Sequence, residues 1–158
     1  MQTLIKNATK QIIDWRLGKK DCRKIYFELD NKYFFVNPGG SFAYAIPKED
    51  CLLDTSKFNY NITLGNNMND NFSDELIEIP PTNNYVKENK KELKEFYREI
   101  EQDERDKLVY VDSKLITKFK DCVYKQVKKS KYGIIFIFKD EILVGLVLPI
   151  KRREWCII

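Results

Sequence analysis

A chain of 158 residues can form one domain with a substantial hydrophobic core but not two full-sized domains. Its 43% hydrophobic and 33% charged content excludes bulk disorder and is typical of a packed domain with a charged surface. Its longest apolar run, residues 142–150, is about half of the roughly 18 to 20 residues that a membrane helix needs. The first residues lack the apolar centre of a signal peptide, so we expect a cytoplasmic protein without a membrane partner.

The net charge of +4 is unevenly distributed along the chain. Residues 1–60 carry 10 basic and 7 acidic groups, net +3, and residues 61–106 carry 6 and 12, net −6. Residues 107–158 carry 12 basic and 5 acidic groups, net +7. This asymmetry favours either an anionic partner or charge pairing within the molecule, and a mixed, solvated surface would produce the same pattern.

The sequence contains no residue pattern that indicates a reaction. There is no histidine, and the four cysteines form no C-x-x-C pair, so no zinc site is predicted. A hydrolase without histidine would need a Cys, Ser or Lys nucleophile or paired carboxylates, and no neighbouring residues mark such a group. We therefore expect a non-enzymatic protein without cofactor or metal.

The first sixty residues predict a helix and three strands. Helical spacing of apolar residues, with Asn7 as N-cap and Gly18 as a stop, predicts a helix over residues 7–17. The strands "IYFEL" and "KYFFV" flank Asp30 and Asn31, which tolerate the positive φ of a tight hairpin. After a turn at "NPGGS", a third strand, "SFAYAI", should end at Pro47.

Residues 51–106 are predicted to be an insertion between the two half-units. Residues 51–85 are irregular and rich in Asn and Asp, which predicts a loop. An acidic helix is then predicted over residues 86–106, with one apolar stripe formed by Val86, Leu93, Phe96, Tyr97 and Ile100. This helix would either shield a cationic face or cover a sheet edge.

The last third predicts a strand, a basic helix and a closing hairpin. "LVYV" is the strand, and Asp112 or Ser113 caps a helix written "DSKLITKFKDCVYKQVKKSK". On that helix one stripe is apolar, while five lysines gather on another face: Lys114, Lys118, Lys125, Lys128 and Lys129. The hairpin "GIIFIFKDEILVGLVLPIKRRE" repeats the strand-turn-strand pattern of "KIYFELDNKYFFVNPGGSFAYAIPKED". The predicted fold class is therefore α+β, a duplicated βα-plus-hairpin unit in one domain of residues 1–158.

"VYVDSKLITKFKDCV" with the closing hairpin resembles the second half of the last domain of a bacterial sliding (processivity) clamp, and "KIYFELDNKYFFVNPGGSFAYAIP" resembles the strands of a first half-domain. The resemblance covers about two thirds of the chain. It implies a DNA-clamp-like fold whose helices face DNA, so the five lysines would contact phosphates without reading bases. It also implies a groove for a protein or peptide client beside Leu148, Pro149, Ile150 and Arg152. The acidic insertion departs from the family pattern, and so does the length, because a clamp ring needs six such domains.

Two functions stay open at this point. The first is a clamp-like binding protein that associates with DNA or with replication proteins. The alternative is a small phage-type inhibitor or host-takeover protein that binds and blocks a protein partner. The Lys-, Asn- and Ile-rich composition suits an AT-rich bacterium or its phage. Each proposed site also has a plain structural interpretation, since the lysines could form a solvated face and residues 148–150 could simply finish a core strand.

Overall fold

The computed structural model describes residues 2–17, 24–73, 75–99 and 107–151. The helices are α1 (Gln2–Leu17), α2 (Ile62–Ser73) and α3 (Ser113–Ile116). The strands are β1 (Ile25–Leu29), β2 (Lys32–Val36), β3 (Phe42–Pro47), β4 (Asn59–Tyr60), β5 (Leu76–Glu78), β6 (Pro81–Glu88), β7 (Lys91–Tyr97), β8 (Leu108–Asp112), β9 (Val123–Val127), β10 (Ile135–Lys139) and β11 (Ile142–Val147). The predicted α+β class is confirmed.

The strands form two sheets. The main sheet has eight strands in the order β4-β1-β2-β3-β11-β10-β9-β5, antiparallel except for the β4–β1 pair. The small sheet has three antiparallel strands, β6-β7-β8. Ile150 forms an isolated bridge with Tyr110 of β8, so the chain leaving β11 connects the two sheets.

Two-residue turns with positive φ close three hairpins. Both residues of each turn have φ between 51° and 67°: Asp30 and Asn31, Asn89 and Lys90, and Asp140 and Glu141. Left-handed residues at both central positions match the right-handed twist of the flanking strands, and Asn and Asp tolerate this conformation best. The predicted turn at Asp30-Asn31 is confirmed, as is the end of β3 at Pro47.

The two halves of the main sheet meet at a seam between β3 and β11. Phe42, Ala43 and Tyr44 pair with Val147, Leu146 and Gly145. A Cβ on Gly145 would lie 2.5 Å from Phe119 Cε1 and 2.7 Å from the carbonyl oxygen of Ala43, so only glycine fits there. Each half is a helix followed by a three-stranded meander, and the meanders meet through their last strands. The tight turn joins the first two strands in one half and the last two in the other.

Both faces of the main sheet are covered. Residues from α1, α3 and the small sheet share a core with one face, represented by Ile12, Leu115 and Phe96. Residues from α2 pack against the other face, where Phe72 contacts Phe136. The result is three layers, with the main sheet in the middle.

The predicted acidic helix over residues 86–106 is wrong. Residues 81–97 form the β6–β7 hairpin, and the residues from 100 to 106 lie outside the described residues. Val86 and Leu93, which share a face at helical spacing, instead pair across the hairpin, and Phe96 is buried beside β8. Burial against a partner strand overrides the local helical pattern.

The described residues of the segment 51–106 contribute to the two sheets and to a helix, whereas a loop was predicted over residues 51–85. The segment supplies β4 and β5 to the two edges of the main sheet and β6 and β7 to the small sheet. Its Asn-rich part forms α2, with Leu64, Met68 and Phe72 facing the core.

The predicted basic helix after Asp112 is wrong beyond its first turns. Asp112 does cap α3, since its side chain accepts a hydrogen bond from the Lys114 N–H, but α3 is only four residues long. A 3₁₀ turn, Thr117–Phe119, follows, and Asp121 takes a positive φ of 59° before β9 begins. Burial of Tyr124 and Gln126 at alternate positions fixes this segment as a strand. At the N-terminus, α1 begins at Gln2, five residues before the predicted Asn7 cap.

Candidate nucleic-acid interface

The five predicted lysines do not share one face. Lys114 is exposed on α3, and Lys118 lies with its Nζ 5.6 Å from the ring of Phe42, on the α1 side of the main sheet. Lys125 lies with its Nζ 4.9 Å from the ring of Phe138, on the α2 side. Lys128 and Lys129 are neighbours in the turn after β9. The helical face on which the sequence placed all five does not exist.

The structure instead concentrates positive charge in the basic loop, which we define as residues 128–134 between β9 and β10. Lys128 and Lys129 are exposed there, and Lys131 follows two residues later. Tyr132 in this loop is 44% exposed. The Nζ atoms of Lys131 and Lys151 lie 5.2 Å and 5.0 Å from the centre of its ring.

Arg98, the residue after β7, stabilises the basic loop through buried hydrogen bonds. Its side chain is fully buried, and its guanidinium donates hydrogen bonds to Gln126 Oε1 at 2.6 Å and to the Lys128 carbonyl oxygen at 2.7 Å. It also donates to the carbonyl oxygens of Val127 at 3.1 Å and Ser130 at 3.3 Å. The planar guanidinium can serve several acceptors in a fixed geometry, so one side chain fixes the course of the loop.

Gln126 completes this support from β9. Its buried amide accepts from Arg98 through Oε1, and its Nε2 donates to the carbonyl oxygens of Lys131 at 2.9 Å and Gly133 at 2.7 Å. The backbone carbonyls of the loop therefore face inward, toward Arg98 and Gln126. The Lys128 side chain lies 3.6 Å from the exposed Glu75 carboxylate, a surface ion pair that contributes little to binding or stability.

A basic loop with an exposed aromatic ring has a defined chemistry. Ammonium groups neutralise phosphates, and the face of a tyrosine ring stacks on any nucleobase. The ammonium groups of Lys131 and Lys151 lie over the ring, so a base that stacks there would displace at least one of them toward a neighbouring phosphate. This combination suits a flexible single strand, whose bases are accessible.

The two cysteine thiols in the described part of the chain are not activated as nucleophiles. Burial raises the pKa of both the Cys51 and the Cys122 thiols, which lowers the thiolate fraction. Burial likewise raises the pKa of Tyr44 to about 12, and that of Tyr124 is also raised. Within the described part of the chain, no group of three or more acidic or cysteine side chains could hold a metal ion.

The residues of the predicted client groove lie where the chain leaves β11. Leu148 is 42% exposed, but its N–H donates to the Ser41 carbonyl oxygen at 2.9 Å. The N–H of Ile150 donates to the Tyr110 carbonyl oxygen at 2.7 Å, so the backbone here links the two sheets. Ile150 lines a small cleft of about 250 Å³ with Leu93, and Pro149 is half-buried. Arg152 lies outside the described residues.

Sequence reasoning missed Arg98, Lys131, Tyr132 and Lys151. The tyrosine among lysines in "KKSKYG" is a visible signal of a basic-aromatic surface. Arg98 carries no such signal, because its role depends on the packing of the small sheet, which contains β7, against β9 of the main sheet.

No protein-family model, curated protein or solved structure matches this chain. In the described part of the chain, no helix is both long enough and apolar enough to cross a membrane.

Proposed function

We propose that the protein binds single-stranded nucleic acid without reading its sequence, through the basic loop and Lys151. The observation that carries the proposal is the exposed Tyr132 ring with two lysine ammonium groups near 5 Å, on a loop whose backbone Arg98 and Gln126 hold. The proposed role is binding, without catalysis and without a cofactor.

Stacking and phosphate contacts would contribute separately to affinity. Stacking a base on an aromatic ring is worth about 1 to 3 kcal/mol and tolerates any base. Each neutralised phosphate lowers the slope of log K against log salt by about 0.7 on a single strand. Binding through Lys128, Lys129, Lys131 and Lys151 should therefore be steeply salt-dependent and largely indifferent to base composition.

The sliding-clamp resemblance enters this proposal as a hypothesis about architecture. It is supported by the helix that precedes a three-stranded meander in each half, and by α1 and α3 sharing one core. The proposed nucleic-acid surface is the basic loop and not a helical face, so the proposal requires no ring. Association with replication proteins, or a phage-type inhibitory role, would add a protein partner to the same domain.

Fluorescence anisotropy on a labelled fifteen-nucleotide oligo-dT tests the proposal. Changing Lys128, Lys129 and Lys131 to Ser should reduce the salt slope by about 2, because three phosphate contacts are lost at about 0.7 each. The matched control changes Lys6, Lys10 and Lys57 to Ser, which removes the same charge from exposed positions elsewhere. Equal losses in both triple variants would reject the basic loop as the binding surface.

A further inference from the structure

The seam between β3 and β11 opens into a cleft at one end. Their pairing covers three residue pairs and stops at Tyr44 and Gly145. Beyond that point, the cleft of about 320 Å³ lies between residues 45–47 of β3 and residues 142–144 of β11, with Ile5 of α1 also lining it. Ile142 is 42% exposed at its mouth.

Two features of the sequence separate the strands here. Ile137 pairs with Gly145 but Phe138 pairs with Leu143, so Val144 is an extra residue in a β-bulge. On the other side, Pro47 has no N–H with which to continue a ladder. The two strand ends therefore present apolar side chains and polypeptide edges that do not pair with each other.

The rim of this cleft is acidic. Continuing the register from Tyr44 and Gly145 would place Pro47 opposite Ile142, so the turns beside these two residues flank the same opening. Glu49 and Asp50 line the cleft, are exposed, and take part in no ion pair among the residues that the structure describes. Asp30 and Lys32 also line the cleft and are paired with each other at 3.1 Å, so the net charge of its lining residues is −2, from Glu49 and Asp50. The exposed turn Asp140-Glu141 immediately precedes Ile142.

We propose that this cleft binds an extended peptide segment of a partner protein, with an aliphatic side chain between β3 and β11 and flanking lysine or arginine side chains at Glu49 and Asp50. The apolar lining fits the aliphatic side chain, and the uncompensated carboxylates fit the basic flanks. The basic loop precedes β10, whose first residue, Ile135, pairs with Val147 at the far end of β11 from Ile142. The two surfaces therefore lie at opposite ends of the main sheet, and a cationic peptide would be repelled from the proposed nucleic-acid surface. The peptide site is thus independent of the proposed function.

The test uses a labelled peptide that alternates lysine and isoleucine, KIKIKIK, and measures anisotropy on the full chain. We expect saturable binding that weakens at least tenfold in Glu49→Lys/Asp50→Lys. Ile142→Trp, which places a large ring at the cleft mouth, should weaken it similarly. The matched control, Asp14→Lys/Asp70→Lys, reverses two exposed carboxylates outside the cleft and should bind as the wild type does. Comparable affinity for KSKSKSK or EIEIEIE would overturn the proposal, because it requires both the apolar and the basic side chains.

Amide chemical shifts of the wild-type protein locate the site without any substitution. Shifts concentrated in residues 45–50 and 142–144 on adding KIKIKIK support the proposal, and shifts confined to other surfaces overturn it. Sedimentation equilibrium without peptide tests whether a second copy of this chain occupies the cleft. Self-association that Glu49→Lys/Asp50→Lys abolishes would assign the cleft to a second copy of this chain and overturn the partner-peptide proposal.

Discussion

Replacing Arg98 with methionine should destabilise the protein strongly, because it removes a buried cation that organises a loop. The side chain is fully buried and, among the described residues, donates hydrogen bonds to four acceptors, at 2.6, 2.7, 3.1 and 3.3 Å. Methionine approximates its apolar stem but donates no hydrogen bond. Gln126 Oε1 and the loop carbonyls would then lose their donor.

The expected loss is about 3 to 5 kcal/mol. Removing one partner of a buried charged interaction costs about this much, and leaving one buried acceptor unsatisfied costs about 1 to 3 kcal/mol. The four bonds are not additive, because carbonyls near the exposed Lys128 and Ser130 can regain water. A loss of this size lowers the melting temperature of a domain of this length by about 6 to 20 °C.

Urea unfolding followed by circular dichroism measures this loss directly. The control is Lys87→Met, which makes a similar chemical change at an exposed position on β6 and should stay within about 0.5 kcal/mol of the wild type. Oligo-dT affinity should also fall in Arg98→Met under conditions where the variant is folded. A free energy of unfolding within about 1 kcal/mol of the wild type would refute the anchoring role of Arg98.

Three further predictions test the fold. Lys90→Gly should raise the free energy of unfolding in urea by about 0.5 to 1 kcal/mol, because Lys90 has φ 66° in a hairpin turn; a loss of about 1 kcal/mol, as glycine causes inside a helix, would contradict the hairpin. Gly145→Ala should lower the melting temperature, since its Cβ would lie 2.5 Å from Phe119 Cε1; an unchanged melting temperature would contradict the tight seam. Burial raises the pKa of Tyr44 to about 12, so this residue contributes stability that is present below pH 10 and is lost as the pH rises through about 12. The urea midpoint of Tyr44→Phe should therefore fall less between pH 9 and pH 11 than that of the wild type. Equal falls would contradict a raised pKa at Tyr44.

The hairpins of the main sheet could be predicted because their signals are local. Asp30 and Asn31 favour the left-handed turn whatever the surroundings, and Pro47 ends a strand because it has no N–H. The β10–β11 hairpin follows the same logic at Asp140. A few neighbouring residues are therefore enough to predict these turns and strand ends.

The two wrong helices show where local reading fails. Leu93 and Phe96 stand at helical spacing, but they lie in β7, which pairs with β6 and β8. This pairing overrides the helical pattern. It depends on strands whose proximity is not encoded in the residues next to Leu93 and Phe96. Between Tyr124 and Gln126, by contrast, an alternating pattern was present but was outweighed by the regular lysines. The five lysines were predicted on one face for this reason, and lysines at helical spacing share a surface only if the helix exists.

Photocrosslinking to a single strand that contains 5-iodouracil tests the central claim most directly, because it reports which aromatic ring contacts a base. Three tyrosines provide an internal comparison, since Tyr132, Tyr60 and Tyr85 are 44%, 48% and 57% exposed. Exposure alone would therefore favour Tyr85. The proposed basic loop predicts that mass spectrometry finds the crosslink at Tyr132 and that high salt suppresses it. Crosslinks at Tyr60 or Tyr85 without any at Tyr132 would contradict nucleic-acid binding by this loop.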